Sequence, residues 1–356
     1  MNNQLKKIEE IKKKYSQCAI LITDQYNRRY LSGFTGSAGK LLLANEANYL
    51  LTDFRYIEQA TAQASNFTCI DVGTEGYIKT MNNLLTQHEV TSLAFENESI
   101  SYMEYEKIKE EGKQKELVPL HSDVTDLRVV KTSEELQKIQ QAEAIGDQAF
   151  SYILSQIKEG MTELEIALLL EVAMKKAGAT DVSFSTIVAS GVHSSMPHWE
   201  PDHTKVKNGD MITMDFGCIF EGYCSDMTRT IVLGKANEEQ KKLYNLVKQA
   251  QEAALSYISA GKTGYEVDKI ARDMIYQGGY EGYFGHGLGH SVGLYIHEEP
   301  RLSPRCNKVL KENTTMTVEP GIYLPGKFGV RIEDLVVIKE NGYENLTHSS
   351  KELIEL

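Results

Sequence analysis

The sequence predicts two domains, a small α/β domain followed by a larger α+β domain that contains an internal pseudo-two-fold repeat. Three observations lead there. At 356 residues the chain is more than twice the length of a typical domain of roughly 150 residues. Its first third alternates short apolar runs with turn residues. Its remainder carries two long helix-pair patterns whose threonine caps, Thr162 and Thr263, stand 101 residues apart.

In residues 19–51, AILIT and KLLLANEANYLL read as strands around the turn-forming GFTGSAG, and residues 53–65 read as a helix. Strands are expected at 68–72 and 92–95, with an amphipathic helix over 77–88 between them, and the domain ends near Pro119. DLRVVKTSEELQKIQ then passes from a strand-like to a helical pattern, with Thr132 and Glu135 spaced as a capping box. The boundary falls between about 120 and 132, giving domains at 1–125 and 126–356. In the second domain a helix over 133–157 precedes GMTELEI, with a capping box at Thr162 and Glu165 and a second helix ending near Gly178. A helix over 238–259 precedes GKTGYEV, with the same box at Thr263 and Glu266 and a helix ending near Gly278. Each pair continues into strands. On the helices alone, chance resemblance explains the repeat equally well.

Composition narrows the function classes. Hydrophobic residues at 41% and charged residues at 25% exclude wholesale disorder and fibrous structure. A net charge of −12 argues against nucleic acid as the main partner. No apolar stretch reaches the roughly 20 residues of a membrane span. The longest, IALLLEVAM from Ile166, is interrupted by Glu171, so a soluble protein with no membrane partner is expected. The N-terminal MNNQLKKIEEIKKKYSQ lacks the apolar core of a signal peptide. Five cysteines, an odd number without CxxC spacing, suggest neither a disulfide framework nor a zinc ribbon and point to a reducing cytoplasm.

The strands after each helix pair carry acids where a sheet interior should be apolar. In MITMDFGCIFEGYCSDMTRTIVL, Asp215 and Asp226 flank the turn signal FEG about a midpoint of 220.5. A hairpin turning there sets them directly opposite each other, with Cβ atoms roughly 4.5–5.5 Å apart. In MTVEPGIYLPGKFGVRIEDLVVI, Glu319 and Glu333 flank LPGKFG about Gly326. Asp215 follows Thr162 by 53 residues and Glu319 follows Thr263 by 56, so the acid hairpins occupy equivalent places in the two repeats. Any one of these acids alone reads equally as an exposed edge-strand residue. Four that converge must be neutralised by cations or take protons. Two divalent ions about 3.5–4 Å apart would keep all four ionised and generate a hydroxide nucleophile at neutral pH.

Six of the nine histidines lie between 193 and 297. GYFGHGLGHSVGLYIHEEP holds His286, His290 and His297 among glycines that permit close backbone approach. His198 stands beside Trp199, the single tryptophan, in a segment that reads either as site wall or as ordinary loop.

With their contexts MDFG, SDMTRT, GHGLGH, VEPG and RIED, residues Asp215, Asp226, His290, Glu319 and Glu333 resemble the five metal ligands of the pita-bread metallopeptidases. NRRYLSGFTGS and LLTDFRY resemble the creatinase/prolidase N-terminal domain, so the resemblance spans nearly the whole chain. It points to the aminopeptidase P and prolidase branch, which cleaves Xaa-Pro bonds. Methionine aminopeptidases share the catalytic half but generally lack that N-terminal domain. The resemblance implies that Asp215 chelates one ion, that His290 and Glu319 bind the other, and that Asp226 and Glu333 bridge both. Glu319 would also pass a proton to the leaving imide nitrogen. His198, His286 and His297 would line the substrate site and stabilise the tetrahedral intermediate, with Arg331 beside the bridging glutamate. His198, His286 and Tyr323 would form a wall for the pyrrolidine ring. The branch commonly forms homodimers through the N-terminal domain. Carboxylate-rich ligation with one histidine favours Mn²⁺, with Co²⁺ and Zn²⁺ as alternatives. Cys218 and Cys224 read as small buried residues. Two other readings share the architecture, a metal-free creatinase-like C–N hydrolase and a non-enzymatic pita-bread binding module, and the complete ligand set argues against both. Small peptides with proline in second position are the expected substrates, and the choice between dipeptides and longer peptides stays open.

Overall fold

Leu41, Leu42 and Leu43 stand in succession and all three are fully buried, as a strand covered on both faces requires. They belong to β2 (Lys40–Ala44), inside a mixed sheet of the N-terminal unit. The computed structural model describes residues 3–356, so the first two residues of the N-terminal segment lie outside it. In chain order the unit comprises α1 (Asn3–Lys14), β1 (Cys18–Ile22), α2 (Gln25–Ser32), β2, β3 (Ala47–Thr52), α3 (Ile57–Gln63), β4 (Thr68–Asp71), α4 (Gly76–Gln87), β5 (Ser92–Phe95), α5 (Tyr102–Glu111) and β6 (Glu116–Pro119). The sheet order is β4-β3-β2-β1-β5-β6, antiparallel on both sides of β2 and parallel elsewhere.

Two local readings need correction. Residues 25–32, taken as part of the strand-and-turn region, form α2, because the Asp24 side chain accepts from the amides of Tyr26 and Asn27 and Gly33 closes the helix at φ 78°. The strand-like start of DLRVVK is instead a 3-10 turn, Thr125–Arg128, whose Arg128 guanidinium is drawn inward to Asn27 Oδ1 at 2.7 Å.

The chain divides into compact units at Arg128 and Val129. In the second unit α6 (Ser133–Leu154) and α7 (Glu163–Lys176) lead into β7 (Asp181–Val182), β8 (Ile187–Ser190), β9 (Met211–Phe216), β10 (Cys218–Phe220), β11 (Tyr223–Cys224) and β12 (Met227–Val232). Then α8 (Glu238–Tyr257) and α9 (Gly264–Gln277) lead into β13 (Gly289–Ser291), β14 (Glu298–Leu302), β15 (Thr315–Val318), β16 (Gly321–Leu324), β17 (Phe328–Arg331), β18 (Asp334–Lys339) and β19 (Gly342–Asn345). The capping boxes at Thr132, Thr162 and Thr263 all form. The repeat extends to the backbone. Thr162 makes an antiparallel bridge to Lys205 and Thr263 makes one to Val309. Each half has its own apolar core, one around Ile145, Ile166 and Met214 and the other around Val247, Val267 and Val336. None of the described helices is long and apolar enough to cross a membrane.

The hairpins carry the acids in different registers. In the second half Gly321 pairs with Arg331 and Val318 with Asp334, which keeps Glu319 and Glu333 at matching positions in the gap between the two ladders. In the first half Asp215 pairs with Thr228 rather than standing opposite Asp226. The cause is the turn. Glu221 and Gly222, at φ 47° and 91°, form its two centre positions, between the paired Phe220 and Tyr223. This centres the hairpin at 221.5, one position later than the sequence midpoint.

Candidate active site

The five acid and histidine residues come from different elements and converge on one cavity of about 500 Å³. Asp215 is contributed by β9, Asp226 by the step between β11 and β12, and His290 by β13. Glu319 sits between β15 and β16, and Glu333 between β17 and β18. Backbone bonds fix the steps: the Glu319 amide donates to Leu288 O at 2.8 Å and the Glu333 amide to Thr228 O at 3.1 Å. Cys218 and Cys224, on the same hairpin, are buried with their thiols against the backbone carbonyls of Ala142 and Leu294.

His290 is locked into one tautomer. Its Nδ1 donates to Ser291 O at 3.1 Å, which turns the unprotonated Nε2 toward Asp226 Oδ2 and Glu319 Oε1, each 3.5 Å away. Burial, reinforced by His297, lowers its pKa to about 3, so the ring is neutral. An imidazole acceptor therefore faces two carboxyl oxygens. Burial first, with Asp215 adding and Arg331 opposing, pushes the Glu319 carboxyl up to about 8. Burial and neighbouring carboxylates raise Asp226 and Glu333 well above the usual carboxylate range. Asp215 Oδ1 and Glu333 Oε1 are buried and lack a hydrogen-bond partner among the described residues. Asp226, His290 and Glu333 offer ligand atoms within 4.8 Å of one another. Unpartnered carboxylate oxygens beside a neutral imidazole nitrogen are the donor set a divalent cation requires.

Arg331 ties this cluster to the cavity wall. Its Nη2 donates to Asp215 Oδ2 at 2.7 Å, Nε to Thr228 Oγ1 at 3.1 Å and Nη1 to the Tyr323 hydroxyl at 2.9 Å. That hydroxyl lies 2.8 Å from His286 Nε2, and His286 Nδ1 lies 2.8 Å from Gly287 O. Both nitrogens of His286 are thus engaged, and burial lowers its pKa to about 4. His198 and His297 also line the cavity, with the His297 ring edge-on to His290 at 4.6 Å. A second set of residues lines it without having been singled out in the sequence: Phe184, Ile187 and Ile296 on the apolar side, and Arg301 on β14.

Behind the site, Lys131 Nζ is buried and donates to Ser291 Oγ and Glu298 Oε2, both at 3.0 Å, bracing β13 against β14. Glu143 of α6, also buried, accepts from the Asp226 amide at 3.2 Å and from Thr347 Oγ1 at 2.6 Å. Neither had a sequence signal beyond being a charged residue near a helix start or on a helix.

Comparison with known proteins adds the family. Residues 137–340 match metallopeptidase family M24, and residues 4–130 match the creatinase/prolidase N-terminal domain. The structure of an Xaa-Pro dipeptidase from Bacillus anthracis is 41% identical and superposes with a TM-score of 0.96, covering 99% of this chain and 100% of that one. An X-Pro aminopeptidase from Thermotoga maritima is 39% identical with a TM-score of 0.90, covering 96% and 98%. An Xaa-Pro dipeptidase of Pyrococcus horikoshii is 37% identical over 99% of both chains. The second unit is thus the α+β pita-bread domain that the resemblance implied, and a metallopeptidase family implies divalent metal ions, which the donor set suits. The chain belongs to metallopeptidase family M24, with a creatinase/prolidase N-terminal domain, and is a peptidase.

Proposed function

We propose that this peptidase cleaves Xaa-Pro bonds with two divalent metal ions, Mn²⁺ first among them and Co²⁺ or Zn²⁺ as substitutes, and that dipeptides are its preferred substrates. The observation that carries the reading is the convergence of four carboxylates on a neutral His290, with buried oxygens of Asp215 and Glu333 left unpartnered among the described residues. Asp215 would hold one ion, His290 and Glu319 the other, and Asp226 and Glu333 both. When bound, the ions supply Lewis-acid activation of the scissile carbonyl and of water. The protein's own groups do the rest. Glu319 takes the proton of the attacking water at its carboxylate and delivers it to the imide nitrogen, which cannot leave as an anion at reasonable cost. Arg331 holds Asp215 in place and orients Tyr323. His286, with both nitrogens engaged, presents its ring with Tyr323 and His198 as a wall for the pyrrolidine. His198 and His297 stabilise the charge that develops on the carbonyl oxygen.

The dipeptide preference rests on Arg301. Arg301 lines the cavity, and among the described residues its guanidinium meets Glu299 at 3.6 Å and His297 O at 3.4 Å. A dipeptide places a free carboxylate one residue beyond the scissile bond, where a longer peptide has a neutral amide. The relatives' names, aminopeptidases as well as dipeptidases, leave room for both lengths. A homodimer in a reducing cytoplasm completes the proposal, the location supported by five free cysteines.

A panel of Ala-Pro, Ala-Pro-Ala and Met-Ala-Ala, assayed with Mn²⁺ and after chelation, tests the reading. Ala-Pro should be cleaved fastest and only with metal. Arg301→Gln should raise KM for Ala-Pro about tenfold, as the loss of one charge-assisted bond predicts, and leave Ala-Pro-Ala nearly unchanged. Equal rates on all three peptides would reject proline specificity.

A further inference from the structure

The stretch of cavity wall at residues 197–201 hangs on a carboxylate outside the metal cluster. Glu163 is the first residue of α7, and its side chain is fully buried. Its Oε1 accepts from the Ser190 amide and the Ser190 hydroxyl, both at 2.7 Å, and lies 3.0 Å from His193 Nδ1. Its Oε2 accepts from Trp199 Nε1 at 2.8 Å and from the Asp202 amide at 3.5 Å. The His193 ring stacks on the Trp199 indole with centroids 3.7 Å apart. From the other side the Gly329 amide donates to Ser194 Oγ at 2.9 Å and Arg331 Nη1 reaches Pro197 O at 3.4 Å. His198 lies between these anchors.

Glu163, His193 and Asp202 are close enough to share an ion. Both oxygens of Glu163, however, already face protein donors, so the cluster is satisfied without one. The other half of the catalytic unit shows that the carboxylate is not needed to build the helix start. There the equivalent residue is Gly264. The backbone bonds match nonetheless: Glu163 N donates to Thr204 O at 3.0 Å and Gly264 N to Lys308 O at 3.2 Å, while Leu164 N donates to Asp202 O and Tyr265 N to Cys306 O. The scaffold repeats, and only the first half adds a side chain that gathers the following loop.

We propose that Glu163 is a positioning residue for the peptide-binding wall, holding His198 and Trp199 through the segment 190–202. This rests on the reading that the cavity takes the peptide. A wall without its anchor must be ordered by each incoming substrate, so apparent affinity falls by the fraction of time the wall is formed. Turnover of peptide already bound is preserved.

Trp199 is the only tryptophan and reports on this segment directly. Glu163→Gln keeps the side chain's shape but turns one acceptor into a donor that faces donors. We expect acrylamide quenching of Trp199 to rise about twofold as the segment loosens. KM for Ala-Pro should rise about tenfold with kcat within about threefold, and metal content should stay at the wild-type value. Ser190→Ala, which removes one donor from the same oxygen, should move quenching and KM in the same direction by less, and it serves if Glu163→Gln does not fold. Unchanged quenching and KM in the folded variants would overturn the proposal. So would loss of metal from the variants, which would make the cluster an ion site or a support of the metal centre. A wild-type enzyme inactive on Ala-Pro would instead overturn the substrate reading and leave the quenching test standing.

Discussion

The two halves of the catalytic unit share a scaffold and divide the work. Each opens with a helix pair, a Thr-x-x-Glu capping box and an antiparallel bridge from the capping threonine, and the box distances agree within 0.1 Å: 2.7 and 3.1 Å at Thr162, 2.7 and 3.2 Å at Thr263. They part company at the next residue. Glu163 sends a carboxylate into the following loop, whereas an ideal Cβ on Gly264 would lie 2.1 Å from Arg301 O, so the second half packs backbone directly on the helix start. They differ again at the hairpins, where Glu319 and Glu333 match in register and Asp215 and Asp226 are staggered. Repetition thus places four acids around one centre, and departures from it supply the wall, the imidazole and the arginines that make the two sides of the cavity different.

The comparison can be broken most severely at the centre. Glu333→Ala should remove metal and lower kcat/KM by about 10³-fold or more, since several kcal/mol of transition-state stabilisation is lost with the ions. Full dinuclear occupancy in an active Glu333→Ala protein would sink the ligand assignment. Gly264→Ala should destabilise by about 3 kcal/mol in thermal unfolding, because its new methyl must displace the carbonyl of Arg301. It should also weaken Ala-Pro binding through Arg301. A milder divergence is electrostatic. Without metal, Glu319 from the second half is held at about 8 against an ordinary 4.5, and His290 at about 3 against 6.5. Between pH 6.5 and 8 Glu319, and Glu143 behind it, which burial also holds at about 8, keep protons that the unfolded chain has lost, so stability falls as pH rises. Between 4.5 and 6.5 the His290 imidazole, protonated only in the unfolded chain, offsets one of these carboxyls, and below 4.5 it makes stability fall with acid. Mn²⁺ should remove the part of the alkaline fall that comes from Glu319 and leave that of Glu143, and a melting series with and without chelator checks both limbs. Smallest, Thr162→Ala and Thr263→Ala should each cost about 1 kcal/mol. Unequal losses by denaturant titration would show that one half bears more of the unit's stability.

The sequence disclosed what depends on local pattern. The capping boxes, the helix pairs and the second hairpin were readable because LPGKFG centres its own ladder and because threonine and glutamate three apart satisfy each other. The first hairpin slipped by one position because its turn uses two left-handed residues, Glu221 and Gly222, rather than centring on the midpoint of the two acids between Phe220 and Glu221. Glu163 was invisible for a different reason. An acid in the first turn of a helix is explained by the helix dipole alone, and its partners stand 27 to 39 residues further along the chain. The one available signal was the mismatch with Gly264, visible only when the repeats are aligned and their differences are read instead of their likeness. Arg301 and Glu143 left no such mark, since burial and cavity lining are products of tertiary packing.

Lys131 has a consequence for how such a chain can be taken apart and recombined. It precedes α6 and looks like tether, yet its Nζ is buried between Ser291 and Glu298, the neighbours in sequence of His290 and His297. A splice that joins a different leading module at Val129 carries the brace along. One that joins at Ser133 retains every helix and strand of the catalytic unit but removes the buried Lys131 amine from Glu298 and Ser291. The modular seam of this protein is therefore set by a single amine, two residues ahead of where the helical pattern would lead one to cut, and gene fusions that respect secondary structure alone would lose it.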